Sequence, residues 1–329
     1  MNPTGRFITA VLGGFAIAVA LLCVTVNFKK LHFSSYIPFD RFMLQKMSEK
    51  PLELLCLVLT QRSHFDQQDA IMFTWGAGCT DLLFIVGNVG ISDSYQLIER
   101  KPHVYTLTVK VEDTYNNTWQ KLRAALHFVN STWPKKFDWL MRIDDDAFVI
   151  FENLYDFLMA KDPRTPAMFG AHYNHYAGGY IGTGPGIIMS RAAFTDLMSV
   201  FDQKKYCRTT LRTHDDDVEL GVCLKAVKVP FGDSSDSKGR PRFIPISLHD
   251  LLNDPQAPNH GFFKQESAYP VGEGFDCCAD ELIALHYVKA EEMRHFQRIV
   301  SAHPLAQKNL RLLVNQTAIT RLRPNAANS

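Results

Sequence analysis

The sequence predicts one α/β domain built on a βαβ sheet and preceded by an N-terminal transmembrane helix. Three observations predict it: a long uncharged apolar run near the amino terminus, three short apolar runs farther on that each read as a buried strand, and helical segments between those strands.

Residues 1–6 form a short tail. Phe7 to Val26 then reads FITAVLGGFAIAVALLCVTV, uncharged throughout and of the length one helix needs to cross a hydrocarbon layer, about 20 residues. A cleaved signal peptide is the competing reading. Its apolar core is shorter, roughly 7 to 15 residues, which favours an anchor, while the small residues of Ala16-Ile17-Ala18-Val19-Ala20 suit the signal. Charge leaves the orientation open, because Arg6 and the amino terminus lie on one side and Lys29, Lys30 and Arg41 on the other. Residues 27–50 are mixed and aromatic-spotted without strong periodicity, as in a short stem, and the folded domain is residues 51–329.

The domain opens with Leu54-Leu55-Cys56-Leu57-Val58-Leu59-Thr60, a continuous apolar run of the kind a strand shows when both its faces are covered. A helix follows to about Trp75, and Asp81-Leu82-Leu83-Phe84-Ile85-Val86 repeats the buried-strand pattern. A helix from about Trp119 to Val129 leads to the third strand, Asp138-Trp139-Leu140-Met141-Arg142-Ile143. There is no internal repeat, so one nucleotide-binding domain with a more irregular carboxyl-terminal half is the simplest division.

Lys and Arg total 35 against 34 Asp and Glu, a formal net charge of +1. That balance supplies no broad attraction to nucleic acid, which is set aside as a partner. Sequons at Asn116-Asn117-Thr118, Asn130-Ser131-Thr132 and Asn315-Gln316-Thr317 carry meaning only in a domain exposed to the secretory lumen. Outside the apolar run the cysteines are Cys56, Cys79, Cys207, Cys223, Cys277 and Cys278, an even set without zinc-site spacing. They suit disulfides in an oxidising compartment; reduced core cysteines in a cytosolic protein would leave the anchor unexplained.

Asp144-Asp145-Asp146 follows the third strand directly, where an open α/β sheet places its ligands, and Ala147-Phe148-Val149-Ile150 returns to apolar residues. In an extended segment Asp144 and Asp146 point the same way and Asp145 points elsewhere. One of the alternating pair can meet a metal ion while the other orders the metal shell or a ribose. A diphosphate leaving group gathers negative charge, and a divalent ion held on carboxylate relieves it without proton transfer. A second cluster, His214-Asp215-Asp216-Asp217, opens the amphipathic segment Val218–Val227. Aspartate at a helix start caps free N–H groups and complements the dipole. A carboxylate there can also take a proton from an acceptor hydroxyl, and the sequence leaves both roles open.

Over about residues 52 to 300 the chain resembles glycosyltransferase family 31, and within it the core 1 β1,3-galactosyltransferase branch. The resemblance is carried by Leu55–Thr60, Thr74-Trp75 before Cys79, Asp144-Asp145-Asp146 with Phe148-Val149, and Asp216-Asp217-Val218 with Leu220-Gly221 and Cys223. Gly232-Asp233-Ser234 with Asp236, Cys277-Cys278 with Asp280, and His286-Tyr287-Val288 continue it, the adjacent cysteines before His-Tyr-Val marking the branch.

That resemblance implies a GT-A (Rossmann-like) fold, a single-pass type II anchor, a Golgi setting, and inverting transfer of galactose from UDP-galactose to the 3-hydroxyl of Ser/Thr-linked N-acetylgalactosamine on a glycoprotein or glycopeptide. Another UDP-sugar, another acceptor, or a chaperone-like homologue without catalysis are the alternatives. It implies manganese as the metal, with Asp146 and His286 as ligands; imidazole beside carboxylate suits manganese better than magnesium. Asp217 becomes the general base, Asp144 addresses the nucleotide and the metal shell, and Asp145, Gly184 and Gly186 join it on the donor side. Asp216, Phe262, Tyr269 and Glu273 are the candidates on the acceptor side. The implied disulfides are Cys56 to Cys79, Cys207 to Cys223, and Cys277 to Cys278, and family members form homodimers.

Three segments depart from the family pattern. Thr183-Gly184-Pro185-Gly186-Ile187 stands where a Gly-Gly-Ala-Gly-Tyr turn is usual, which stiffens the loop while keeping two glycines that admit a donor closely. Asp216 stands where glutamate is usual, and the stretch Phe262–Tyr269 carries fewer aromatic residues for stacking on a sugar.

Overall fold

The computed structural model describes residues 51–174, 178–254 and 261–303, together with residues 305, 308, 309, 311–313 and 315. The tail 1–6, the run Phe7–Val26 and the stem 27–50 lie outside them; among the described residues no helix is long and apolar enough to cross a membrane.

Strand β1 (Leu54–Leu59) is buried at every position because its alternating side chains enter two separate cores. Leu54, Cys56 and Val58 face one of them. Helix α1 (Phe65–Phe73) covers that face and leads into β2 (Asp81–Gly87). An edge hairpin, β3 (Tyr95–Lys101) and β4 (Val104–Val109), comes next. Helix α2 (Thr118–Ser131) covers the other face; its Trp119, Leu122, Leu126 and Val129, spaced three and four apart, form one buried stripe with Leu55, Leu57 and Leu59.

Strand β5 (Trp139–Asp144) is followed by the short β6 (Phe148–Val149) and helix α3 (Phe151–Met159). Strands β7 (Met168–Tyr173) and β8 (Tyr180–Ser190) precede α4 (Arg191–Val200) and α5 (Asp216–Ala226). The chain continues through β9 (Phe243–Ile244), α6 (Leu248–Asn253), α7 (Phe262–Glu266), β10 (Ala284–Leu285) and α8 (Ala290–Ala302).

The main sheet has the order β3-β4-β2-β1-β5-β8-β7. Its centre, β4 to β5, is parallel as the apolar runs predict. Both flanks are antiparallel, through β3 on one side and β8 and β7 on the other, so the sheet is mixed. The segment Thr183–Ile187, read from the sequence as a loop, lies inside β8. Its partners jump from Ala171↔Gly182 to Gly170↔Ile187, leaving residues 183–186 in an irregularity where Pro185 needs no ladder partner and Gly186 adopts a φ of +107°.

Two pairings position the chemistry. Register Leu59↔Asp144 sets Thr60 beside the acidic triplet. A second, three-stranded sheet β6-β10-β9 pairs Leu285 with Phe148, and Val288 N–H donates to Asp146 O at 2.7 Å. His286, distant in sequence, is thereby fixed beside Asp146.

The six cysteines of the folded domain pair as Cys56–Cys79, Cys207–Cys223 and Cys277–Cys278. Asn116 and Asn130 are exposed, as is Asn315, whose sequon partners Gln316 and Thr317 lie outside the described residues.

Candidate active site

Arg142 and Asp144 alternate with Ile143 and so leave β5 on the same face, opposite to Met141 and Ile143. The guanidinium is 1% exposed and joins both acidic clusters. Its Nη1 donates to Asp144 Oδ1 at 2.6 Å and to Thr183 O at 3.2 Å; its Nη2 donates to Asp216 Oδ1 at 2.8 Å. Nε lies 2.8 Å from Asp216 Oδ2, an ion contact too bent to count as a hydrogen bond. Burial opposes ionisation of Asp144, but Arg142 and His286 outweigh it and hold the carboxyl at about 2. Burial pushes Asp216 up; the two-point contact with a guanidinium that never deprotonates argues that it nonetheless stays ionised.

This pairing settles what α5 does with its acidic start. The N-cap is Asp215, with no side-chain cap bond, so Asp216 serves as a buried counter-ion and not as a cap. With both oxygens on Arg142 it is also unavailable to an acceptor, contrary to the sequence expectation. Arg142→Met would leave the buried Asp216 carboxylate uncompensated and take one of two cations from the partly exposed Asp144, and urea denaturation is expected to show a loss of about 3–5 kcal/mol. A loss under about 1 kcal/mol would mean that water already shields the pair.

His286 Nε2 lies 3.1 Å from Asp146 Oδ1 and 3.6 Å from Asp144 Oδ2. One ligand atom from each of the three residues falls within 4.8 Å of the others. Burial disfavours a charged imidazole, yet the hydrogen bonds and charges of Asp144 and Asp146 hold His286 up at about 9. Two carboxylates and an imidazole thus converge on one point, a donor set that fits a divalent metal ion once the imidazole gives up its proton.

The glycines owe their presence to the protein's own contacts. A Cβ on Gly184 would come within 2.3 Å of His286 Cε1, so this glycine makes room for the imidazole. Gly186 is required by its positive φ in the β8 irregularity. Tyr287, with φ +56°, holds a left-handed backbone that costs of order 1 kcal/mol and stacks its ring on His286 at 3.9 Å between centroids.

A cavity of about 400 Å³ holds the triad, with Asp145, Asp216 and Asp217 also on its wall. A second cavity, about 370 Å³, is lined by Tyr173, Tyr180, Pro185, Ile246, Phe262 and Phe263 among others. The two share Gly184, Asp217, His286 and Tyr287. Asp217 therefore stands on the border between a charged cavity and an aromatic one. Burial pushes its carboxyl up to about 6, against the Val218 N–H that donates to Oδ1 at 2.8 Å and the charge of Arg142. That value suits a proton acceptor near neutral pH.

Of the acceptor-side candidates, Phe262 lines the aromatic cavity. Tyr269 does not line either cavity: its hydroxyl accepts from Ser234 N–H at 2.8 Å, and its ring packs edge-on to His172. Glu273 is exposed and borders neither cavity. Asp145 and Asp146 lie in a turn after β5 and not in the extended segment expected from the sequence; Asp145 is still outside the triad and accepts from Thr60 Oγ1 at 2.5 Å. Arg142 and His64 went unassigned in the sequence reading, as did Tyr115, which stacks on His214 at the cavity wall. An arginine inside an otherwise apolar strand, two residues before an acidic triplet, was the signal for the first; nothing local marks the others.

Residues 66–179 match the family model described as Galactosyltransferase, a segment that contains the acidic triplet and ends before Gly184, Asp217 and His286. Glycoprotein-N-acetylgalactosamine 3-beta-galactosyltransferase 1 of Xenopus laevis is 28% identical over 265 residues, covering 80% of this chain and 69% of its own length. N-acetyllactosaminide beta-1,3-N-acetylglucosaminyltransferase 4 of Homo sapiens is 26% identical, over 52% of this chain and 51% of that protein. Beta-1,3-glucosyltransferase of Mus musculus is 25% identical, over 63% of this chain and 38% of that protein. The chain thus spans about half or less of the latter two relatives. Among solved structures, the glycosyltransferase GlyE of Streptococcus pneumoniae aligns with 82% of this chain and 64% of its own at 11% identity, with a TM-score of 0.38.

Proposed function

We propose that this chain, which carries a galactosyltransferase-family domain, is an inverting GT-A glycosyltransferase that moves galactose from UDP-galactose to the 3-hydroxyl of protein-linked N-acetylgalactosamine. The observation that carries the reading is Asp217 on the border of two cavities, one walled by the acidic triad and the other by aromatic rings. Donor and acceptor then approach from opposite sides of a single carboxylate. Galactose and the acceptor follow the Xenopus laevis relative, which covers more of this chain than the N-acetylglucosaminyl- and glucosyltransferases named with it.

In this mechanism Asp217 takes the proton of the acceptor hydroxyl as that oxygen attacks the sugar's anomeric carbon, and the bond to the diphosphate breaks on the opposite face. A single displacement of this kind inverts the centre. Asp146 and His286, with Asp144 beside them, would hold manganese, which would supply positive charge against the negative charge gathering on the leaving diphosphate. Arg142 keeps Asp144 ionised and fixed, and the ring of Tyr287 braces His286. Phe262, Tyr173 and Tyr180 offer aromatic faces to the acceptor sugar.

The three disulfides and the exposed Asn116, Asn130 and Asn315 support a lumenal setting. The same reading puts the protein in the Golgi membrane as a single-pass type II protein anchored by Phe7–Val26, working as a homodimer. A non-catalytic folding partner is disfavoured by the convergence of Asp144, Asp146 and His286 on one point.

The test is transfer by the full chain, with manganese, from a panel of UDP-sugars to N-acetylgalactosaminyl peptides, followed by linkage analysis. A β1,3-galactosyl product is expected, and a product with another sugar, or none, overturns the assignment. The same assay, run at saturating substrates across pH, is expected to show kcat falling with acid below about pH 6, where the raised Asp217 carboxyl protonates. A rate flat down to pH 5 would remove Asp217 from the role of base.

A further inference from the structure

We infer that His64, oriented by Asp145, reads the base of the donor nucleotide and selects uracil over cytosine. The inference rests on the nucleotide-sugar reading above and adds to it the residue that distinguishes one pyrimidine from the other.

His64 occupies the N-cap position of α1, just beyond the carboxyl end of β1, and lines the charged cavity with Thr60 and Gln61. Ligands of open α/β sheets bind outside the carboxyl ends of the strands, and β1 is the central parallel strand next to β5. The triad occupies one part of the cavity and fixes the diphosphate end of a donor. Thr60, Gln61 and His64 follow the carboxyl end of β1 and line the same cavity, and the base of the donor is assigned to them.

The chemistry of the imidazole is set by its neighbour. Asp145 Oδ2 lies 2.7 Å from His64 Nδ1 and also accepts from Thr60 Oγ1 at 2.5 Å. A carboxylate can only accept, so Nδ1 carries the hydrogen. In the neutral ring Nε2 is then a bare acceptor, and among the described residues it has no hydrogen-bond partner. The Asp145 side chain is 13% exposed and that of His64 37%, so the orienting carboxylate is sheltered while the imidazole that lines the cavity stays accessible.

An acceptor at that place discriminates between bases. Uracil offers the N3–H donor between two carbonyl oxygens, whereas cytosine has a lone pair at N3. The first makes a hydrogen bond with Nε2 and the second sets two lone pairs against each other. The pair Asp145–His64 also gives the middle carboxylate of the triplet a task of its own, since it contributes nothing to the triad.

The experiment is calorimetric titration of UDP and CDP, each with manganese, into the full chain and its His64→Ala and His64→Gln variants. Wild type is expected to bind UDP about tenfold more tightly than CDP, the worth of one well-placed hydrogen bond. His64→Ala should lose about that factor for UDP and keep CDP affinity within about twofold; His64→Gln, whose amide can turn its oxygen to the base, should regain part of the preference. Equal binding of the two nucleotides by wild type, or an unchanged ratio in His64→Ala, overturns the inference and leaves the transferase reading standing. Equal losses for both nucleotides overturn it as well, because a residue that only shapes the loop would act that way. Failure of wild type to bind either nucleotide overturns both.

Discussion

Asp146→Ala is expected to cut manganese-dependent transfer by about a thousandfold or more, the scale of losing a principal electrostatic stabiliser of the leaving group. Asp146 is the carboxylate nearest His286, and its side chain is 40% exposed, so truncation removes a ligand without opening the core. The melting temperature should therefore stay close to wild type. Steady-state rates over a manganese titration check this, with donor hydrolysis followed in parallel. A variant that saturates at the same metal concentration and turns over at the wild-type rate would exclude Asp146 from the metal centre.

Asp217→Asn is expected to separate binding from chemistry. Asparagine has the same shape, and its side-chain oxygen can still accept from Val218 N–H, so the first turn of α5 is preserved. UDP and manganese should bind as in wild type, because Asp217 is not among the groups that converge on the metal point. Transfer should fall by about a hundredfold to ten-thousandfold, the usual contribution of a positioned base. Calorimetry gives the binding and single-turnover assays give the chemistry. If metal affinity and transfer fell together, Asp217 would belong to the metal shell.

The centre of the fold was legible because a strand covered on both faces leaves a short continuous apolar run, such as Leu54–Leu59, too brief for a spanning helix. The flanks were not. Tyr95–Lys101 is an edge strand with Gln96, Glu99 and Arg100 among its mostly exposed positions, so it carries no apolar alternation to read. Strand β8 was hidden by its glycines and proline, which look like a turn and instead form a break in the ladder. The site divides in the same way. Alternation predicted that Asp144 and Asp146 would point together and Asp145 elsewhere; the side chains divide that way, but residues 145 and 146 form a turn, so strand alternation is not the cause. The disulfide pairs and His286 came from resemblance, since no local pattern links Phe148 to Leu285 until the small sheet forms. Composition could not separate a capping Asp216 from a buried counter-ion, because the deciding partner, Arg142, lies far away in sequence on strand β5. Tyr269 and Glu273 also came from resemblance as acceptor-side candidates; of the three, Phe262 alone lines a cavity.

Because the Arg142 guanidinium is sealed in the interior and grips a carboxylate from each half of the reaction centre, the catalyst has no hinge of its own within that linkage. Freeing Asp144 from Asp216 requires β5 to part from α5, an opening drawn from the global end of the stability range and not from the fraying end. On the proposed function, activity is therefore expected to be lost on heating at the transition that melts the sheet.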